Sequence, residues 1–176
     1  MEDNTVRPLA AGLTVLGALA RVLPHLPNFS PVGSISLFAG ARMRGWQAYV
    51  LPLVLMAVTD PLVGGYSAAT PLIYASFLIN VWIGSRLRGT GNPLKIGAAA
   101  MAGSLQFFLL TNFAWLAGSS LYPHTLAGVM QCYVAAIPFY GRTLASDLVY
   151  SAALFGLHAW LTRAVVRNER VAVPAA

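Results

Sequence analysis

The chain has 176 residues, of which 57% are hydrophobic and 9% charged, with 11 Lys+Arg against 5 Asp+Glu. A soluble domain carries roughly 25% charged residues and a polar face on each element, so this composition points away from a soluble fold. The +6 net charge does not form a nucleic-acid patch, because the basic residues sit at the ends of apolar segments and not on one amphipathic element.

The pattern predicts an all-α chain, a polytopic membrane bundle of six transmembrane helices in one integral membrane domain over 1–176. The first span covers 8–23, where Pro8 suits a first helical turn and Pro24 prevents continuation. A short second span covers 31–43. The third, 46–59, holds no Lys, Arg, Asp or Glu and ends before Asp60; the fourth covers 71–85. The fifth, 96–118, is long enough alone, since about 20 residues cross the hydrocarbon of a bilayer. The last, 142–162, is of similar length and leads into a tail at 163–176. Between them lies TLAGVMQCYVAAIPFYG, residues 125–141, an apolar stretch cut by Pro138. It is expected as a re-entrant segment inside an outer loop of 119–141, because irregular backbone at depth is tolerated where protein or water covers it.

Six spans place Arg7, Arg42, Arg44, Arg86, Arg88, Lys95, Arg163, Arg167 and Arg170 on one side and only Arg21 and Arg142 on the other. The positive-inside bias then makes both termini cytoplasmic. A seventh full span would carry Arg163, Arg167 and Arg170 to the wrong side, which favours re-entry. On the first span, Ala11, Thr14, Ala18 and Ala10, Thr14, Gly17 fall on adjoining lines at helical spacing, a surface suited to close approach of another membrane helix.

The outer loops, 24–30, 60–70 and 119–141, gather the polar side chains at one end of the bundle. The candidate substrate-binding residues are Arg21, His25, Asn28, Asp60, Asn112, Tyr122, His124, Gln131, Cys132, Arg142 and Asp147. An ionisable group within a span costs about 2.5–3.5 kcal/mol on insertion scales unless it is paired, near an end or in a wet cavity. Asp147 is therefore expected to pair with Arg142 or Arg21, or to contact a ligand.

His124, Gly128 and Cys132 share a face if their segment is helical, offering a nitrogen and a sulfur to a soft metal such as a corrinoid cobalt. The role that Cys132 fits first is that of a small buried hydrophobe. It is the single cysteine, which excludes an internal disulfide and a multi-Cys metal site. His158 lies eleven residues after Asp147 on the same helix and is expected to hydrogen-bond within the core. Phe108, Asn112 and Trp115 align at i, i+4, i+7, a face able to stack a flat ligand, whereas Trp46, Trp82 and Trp160 read as interfacial anchors.

HExxH, GxSxG and phosphate-binding glycine motifs are all missing, so the chain is not expected to be an enzyme and needs no cofactor or resident metal. If it transports actively, another protein must supply the energy.

RVLPHLPNFSPVG at 21–33, TNFAWL at 111–116, YPHTLAG at 122–128 and CYVAAIPFYGRTLASDLVYSAALFG at 132–156 resemble the signature segments of a family of small bacterial membrane proteins associated with transport but of unknown function. More distantly, six spans, cytoplasmic termini, a capping first loop and a small-residue face on the first helix are similar to the S components of energy-coupling factor (ECF) transporters. That likeness implies a bacterial inner-membrane protein that binds a micronutrient, a vitamin or a metal ion, under its outer loops. It also implies a transmembrane coupling protein and ATPase subunits as partners, and the 24–33 loop as a lid. One solitary branch of that group handles cobalamin with a cysteine on the cobalt, which makes Cys132 the candidate ligand. The AxxxA pattern common on the first helix of that group is absent here. Two other functions compete: an intramembrane enzyme acting on a lipid or isoprenoid through His25, His124 and Asp147, and a structural membrane subunit.

Overall fold

A computed structural model describes residues 2–24, 26–118 and 121–172. The described residues form six helices and no strand: α1 (Glu2–Ala20), α2 (Val32–Arg42), α3 (Gln47–Val63), α4 (Thr70–Ser85), α5 (Pro93–Gly118) and α6 (Leu126–Ala172). Of these, α5 and α6 are long and apolar enough to cross a membrane. The helices run alternately between two ends. Arg21 after α1 meets Asp60 near the end of α3, and the start of α2 meets α6 at Asp147. At the opposite end, Arg42 closing α2 reaches the α4–α5 connection at Leu87 and Thr90.

The centre of the bundle is α2. Its eleven residues span about 16 Å, and every residue from Val32 to Ala41 is buried. Its sequence, VGSISLFAGAR, has small residues on several sides, so neighbouring helices close around it. A Cβ on Gly40 would overlap the Val81 carbonyl of α4, and one on Gly84 would overlap the Leu37 carbonyl of α2. Only paired glycines let these two backbones approach so closely. On another side, Phe38 stands edge-on to Phe155 of α6, with ring centroids 5.2 Å apart.

The small-residue face expected on α1 does receive a helix, and that helix is α2. Ala10 and Thr14 are wholly buried, and a Cβ on Gly17 would press on the Ile35 side chain. Hydroxyls in this interior turn back on their own helices. Thr14 donates to Ala10 O at 2.8 Å, Thr59 to Leu55 O at 2.8 Å and Ser76 to Leu72 O at 3.0 Å. Such bonds let a hydroxyl be buried without leaving an orphan donor. The exterior is the reverse, with Leu16, Val54, Val58, Leu62, Met130, Val134 and Val149 all pointing outward.

Proline punctuation misleads in this chain. Pro8 was expected at a first turn, yet α1 begins at Glu2 and contains it; α3 passes through Pro52 and Pro61. The third helix therefore continues beyond the expected stop at 59 and ends at Gly64, whose φ of 150° begins the turn with Gly65. The expected re-entrant segment is likewise replaced. Residues 126–172 form one helix of 47 residues, about 70 Å long, with Pro138 inside it. Pro138 removes a single helical bond, to the Val134 carbonyl, while α5 packs antiparallel beside residues 132–147. The Tyr133 hydroxyl donates to Leu109 O at 2.7 Å, and Phe108 lies against both Tyr133 and Tyr140.

Candidate ligand-binding cleft

Two adjoining chambers open among α4, α5, α6 and the α1–α2 connection. The inner chamber, about 220 Å³, is lined by Arg21, Asn28, Ser30, Asn80 and Asp147 with the rings of Phe77 and Phe107. The outer one, about 520 Å³, takes in Phe108, Thr111, Asn112, Phe139 and Tyr140. Asn28, Ile73, Phe107 and Thr143 line both, so the two form one cleft.

The α1–α2 connection, the expected lid, lies over this cleft and is fastened to α6. Ser146 donates to the Ser30 carbonyl at 2.8 Å, and the Phe29 ring meets Tyr150 at 5.8 Å. Between them the chain turns at Asn28, whose φ is 63°. Asparagine is among the few side chains that accept this left-handed conformation readily. The turn places Asn28 at the junction of the chambers.

At one edge Arg21 forms an ion pair with Asp60 at 2.6 Å and donates to the Thr59 hydroxyl at 2.8 Å. The other Asp60 oxygen accepts from the Tyr74 hydroxyl at 2.5 Å. Charge and hydrogen bonding are thus matched among three helices, in keeping with the rule that a buried charge is paired.

Asp147 lies deeper. It sits about six turns into α6, not near a helix end as the expected break at 142 implied. Its carboxyl accepts from Ser104 of α5 at 2.6 Å and, more weakly, from Ser34 of α2 at 3.4 Å. The Ser34 hydroxyl also bonds the Asp147 carbonyl at 2.9 Å and receives a bond from Ser151 at 3.2 Å. The main-chain N–H of Ser34, in the first turn of α2, also bonds the carboxyl, so Asp147 caps that helix from outside. A Cβ on Gly33 would overlap the carboxyl, which makes glycine a requirement for the arrangement.

The expected pairing of Asp147 with Arg142 or Arg21 does not occur. Five residues along a helix turn about 500°, so Arg142 and Asp147 point roughly 140° apart, and Arg142 is exposed. Arg21 is engaged by Asp60 instead.

Of the other expected residues, Asn112 lines the outer chamber and donates to Phe108 O at 2.8 Å. Cys132 is buried, with its sulfur 3.8 Å from the Asn112 carbonyl, the setting of a small packed hydrophobe. Tyr122 is half-buried, while His124 and Gln131 are exposed; none of the three is among the side chains lining these chambers. His25, and the side chain of Trp115, lie outside the described residues. No group of three or more His, Cys, Asp or Glu side chains able to hold a metal ion occurs among the described residues. The core hydrogen bond expected of His158 is absent: its Nε2 has no partner, and its ring stands edge-on to Phe38 at 5.5 Å.

Several contributors escaped sequence reasoning. Asn80 and Gln106 bond each other at 2.9 Å between α4 and α5, and Ser34, Ser104 and Ser151 surround Asp147. Each is an uncharged polar residue in a largely apolar helix. Gln106 is the partial exception, because a long amide in a charge-free 22-residue stretch demands a partner. Ser30 is among the residues lining the inner chamber, and its hydroxyl is buried with no partner.

No curated protein and no solved structure matches the chain. A family match does extend over residues 2–171, and the chain belongs to that family of unknown function, DUF6580.

Proposed function

We propose that the chain is a membrane-embedded binding component of a micronutrient transporter, of the energy-coupling factor type, that takes its ligand in the two-chambered cleft. The observation that carries this reading is the cleft itself. It combines a buried carboxyl, three asparagines, a partnerless serine hydroxyl and aromatic walls at one end of the bundle, beneath a fastened loop. Concave, mostly apolar sites with a few convergent polar groups are the usual form of small-molecule pockets.

A lipid setting fits the apolar exterior and hydroxyl-lined interior, because a bilayer rewards outward aliphatics and demands internal partners for polar groups. The shortness of α2 is no obstacle, since it is enclosed by other helices and never meets lipid. The end opposite the cleft carries Arg42, Arg44, Arg86, Arg88 and Lys95. There Arg42 donates to Leu87 O and to Thr90 O, and Arg88 to Gly40 O. By the positive-inside bias that end is cytoplasmic and the cleft faces out, in the bacterial inner membrane. The chain carries no ATPase motif, so a transmembrane coupling protein with ATPase subunits would drive release. Its contact is on a face other than the Ala10–Thr14–Gly17 line, which α2 occupies.

Native mass spectrometry of the detergent-purified protein tests the reading, with Thr143→Trp as the variant that fills the junction of the chambers. A retained small molecule that is lost in Thr143→Trp is the expected result. An empty wild-type protein that also ignores added vitamins, or equal retention in both proteins, would remove the binding role. Turnover of a lipid without retention would point to the intramembrane enzyme.

A further inference from the structure

Building on the cleft as a ligand site, we infer that its ligand is an organic cation, a protonated amine or nitrogen base on a flat apolar body, with Asp147 as its counter-ion. Charge accounting within the inner chamber leads there. Two ionised side chains line it, Arg21 and Asp147, and they are not equivalent. Arg21 is matched by Asp60 at 2.6 Å, and Tyr74 completes that group from α4. Asp147 is 4% exposed and has serine hydroxyls and one amide as partners, with no cationic side chain bonded to it among the described residues.

The α2 N-terminus offsets part of a carboxylate charge. A helix end carries roughly half a positive charge, however, so about half of a full negative charge remains uncompensated. A buried carboxyl left in that condition takes up either a proton or a cation, and a cationic ligand in the chamber supplies the second.

Geometry leaves room for that cation on the chamber side. An ionised carboxyl offers about four acceptor positions, and Ser104 and Ser34 occupy positions from α5 and α2 respectively. On the other side, between Asp147 and Ser151, there is no space for even a water-sized guest. The open direction is toward Asn28, Asn80, Thr143 and the partnerless Ser30 hydroxyl. An ammonium has several N–H donors, and these oxygens are acceptors for those that Asp147 does not take. Phe77 and Phe107, with ring centroids 5.1 Å apart, form the wall that receives an apolar body. Aromatic faces also attract cations. A carboxylate ligand would meet Asp147 with like charge, and a neutral ligand would leave its residual charge unanswered.

The test uses full-length protein in nanodiscs and three probes of one shape: phenethylamine, phenethyl alcohol and 3-phenylpropionate. Affinity is read by saturation-transfer NMR and thermal shift. The amine is expected to bind at least about tenfold tighter than either analogue. Asp147→Asn keeps the size and one acceptor oxygen, and should weaken the amine by roughly thirtyfold or more without weakening the alcohol. Should that variant fail to fold, the comparison of amine with alcohol on the wild-type protein decides alone. Alcohol or propionate binding as tightly as the amine, or full amine affinity in Asp147→Asn, overturns the cationic ligand. If that binding is lost in Thr143→Trp, the cleft survives as a binding site. Absence of binding by all three probes overturns both the cationic ligand and the cleft as a binding site.

Discussion

Ser104 on α5 and Asp147 on α6 are joined by a 2.6 Å hydrogen bond between two buried side chains, deep between the longest helices of the bundle. Ser104→Ala removes the shorter of the two hydroxyl bonds to the carboxyl. Hydrogen bonds to charged groups contribute about 1.5–3 kcal/mol, so a loss of that order is expected in unfolding free energy. Thermal or SDS denaturation of the purified variant measures it. Unchanged stability would mean that the carboxyl finds another donor, such as water in the chamber.

The ion pair of Arg21 with Asp60 predicts an asymmetry. Removing the arginine, by Arg21→Met, should cost about 3–5 kcal/mol because the Asp60 carboxylate stays buried without its ionic partner, and Asp60→Leu should cost less because Arg21 is only partly buried and keeps its Thr59 bond. The double variant should recover part of that loss. A double-mutant cycle on unfolding free energy gives the coupling, and strict additivity would show that the pair is unimportant to stability.

Gly40 and Gly84 face main-chain carbonyls that cannot rotate away. Alanine at either position should cost about 1–3 kcal/mol or more through overpacking. Gly97→Ala, which meets nothing within 4 Å, serves as the control and should be near neutral. Equal effects at all three sites would contradict the close α2–α4 approach.

The unbroken α6 is open to direct measurement. Labels at Ala127 and Val149, in a Cys132→Ser background, are 22 residues apart and should lie about 33 Å apart at 1.5 Å per residue. Double electron–electron resonance reads this distance. A much shorter value would restore the re-entrant hairpin.

Cys132 is 2% exposed. The native protein should therefore resist maleimide until it is denatured. Rapid labelling in the folded state would place that thiol in the cleft or at the surface.

Much of the architecture was legible from residue types, and the failures have identifiable causes. Arg21, Asn28 and Asp147 do line one chamber, although the helix break that put Asp147 near a helix end is absent. The helix boundaries at Pro8, Pro61 and Pro138 were misread by the rule that proline ends helices. That rule holds where water competes for the freed carbonyl, and it weakens where neighbouring helices cover the break. Pairing Asp147 with the nearest arginine in sequence failed on angular grounds, since Arg142 points elsewhere. Asn80, Ser34 and Ser104 gave no signal, because their importance comes from what faces them across other helices, and a single sequence does not show facing.

The bundle's middle, finally, is completed late. Ser34 and Asp147 are 113 residues apart, and α2 is enclosed only when the last helix arrives beside it. During synthesis, α2 must wait while its serines and its crowded glycines lack their final neighbours. A chain truncated after α5 would leave that core open, a state that quality-control proteases can recognise. Cellular abundance should therefore depend on α6 more steeply than its share of the sequence suggests.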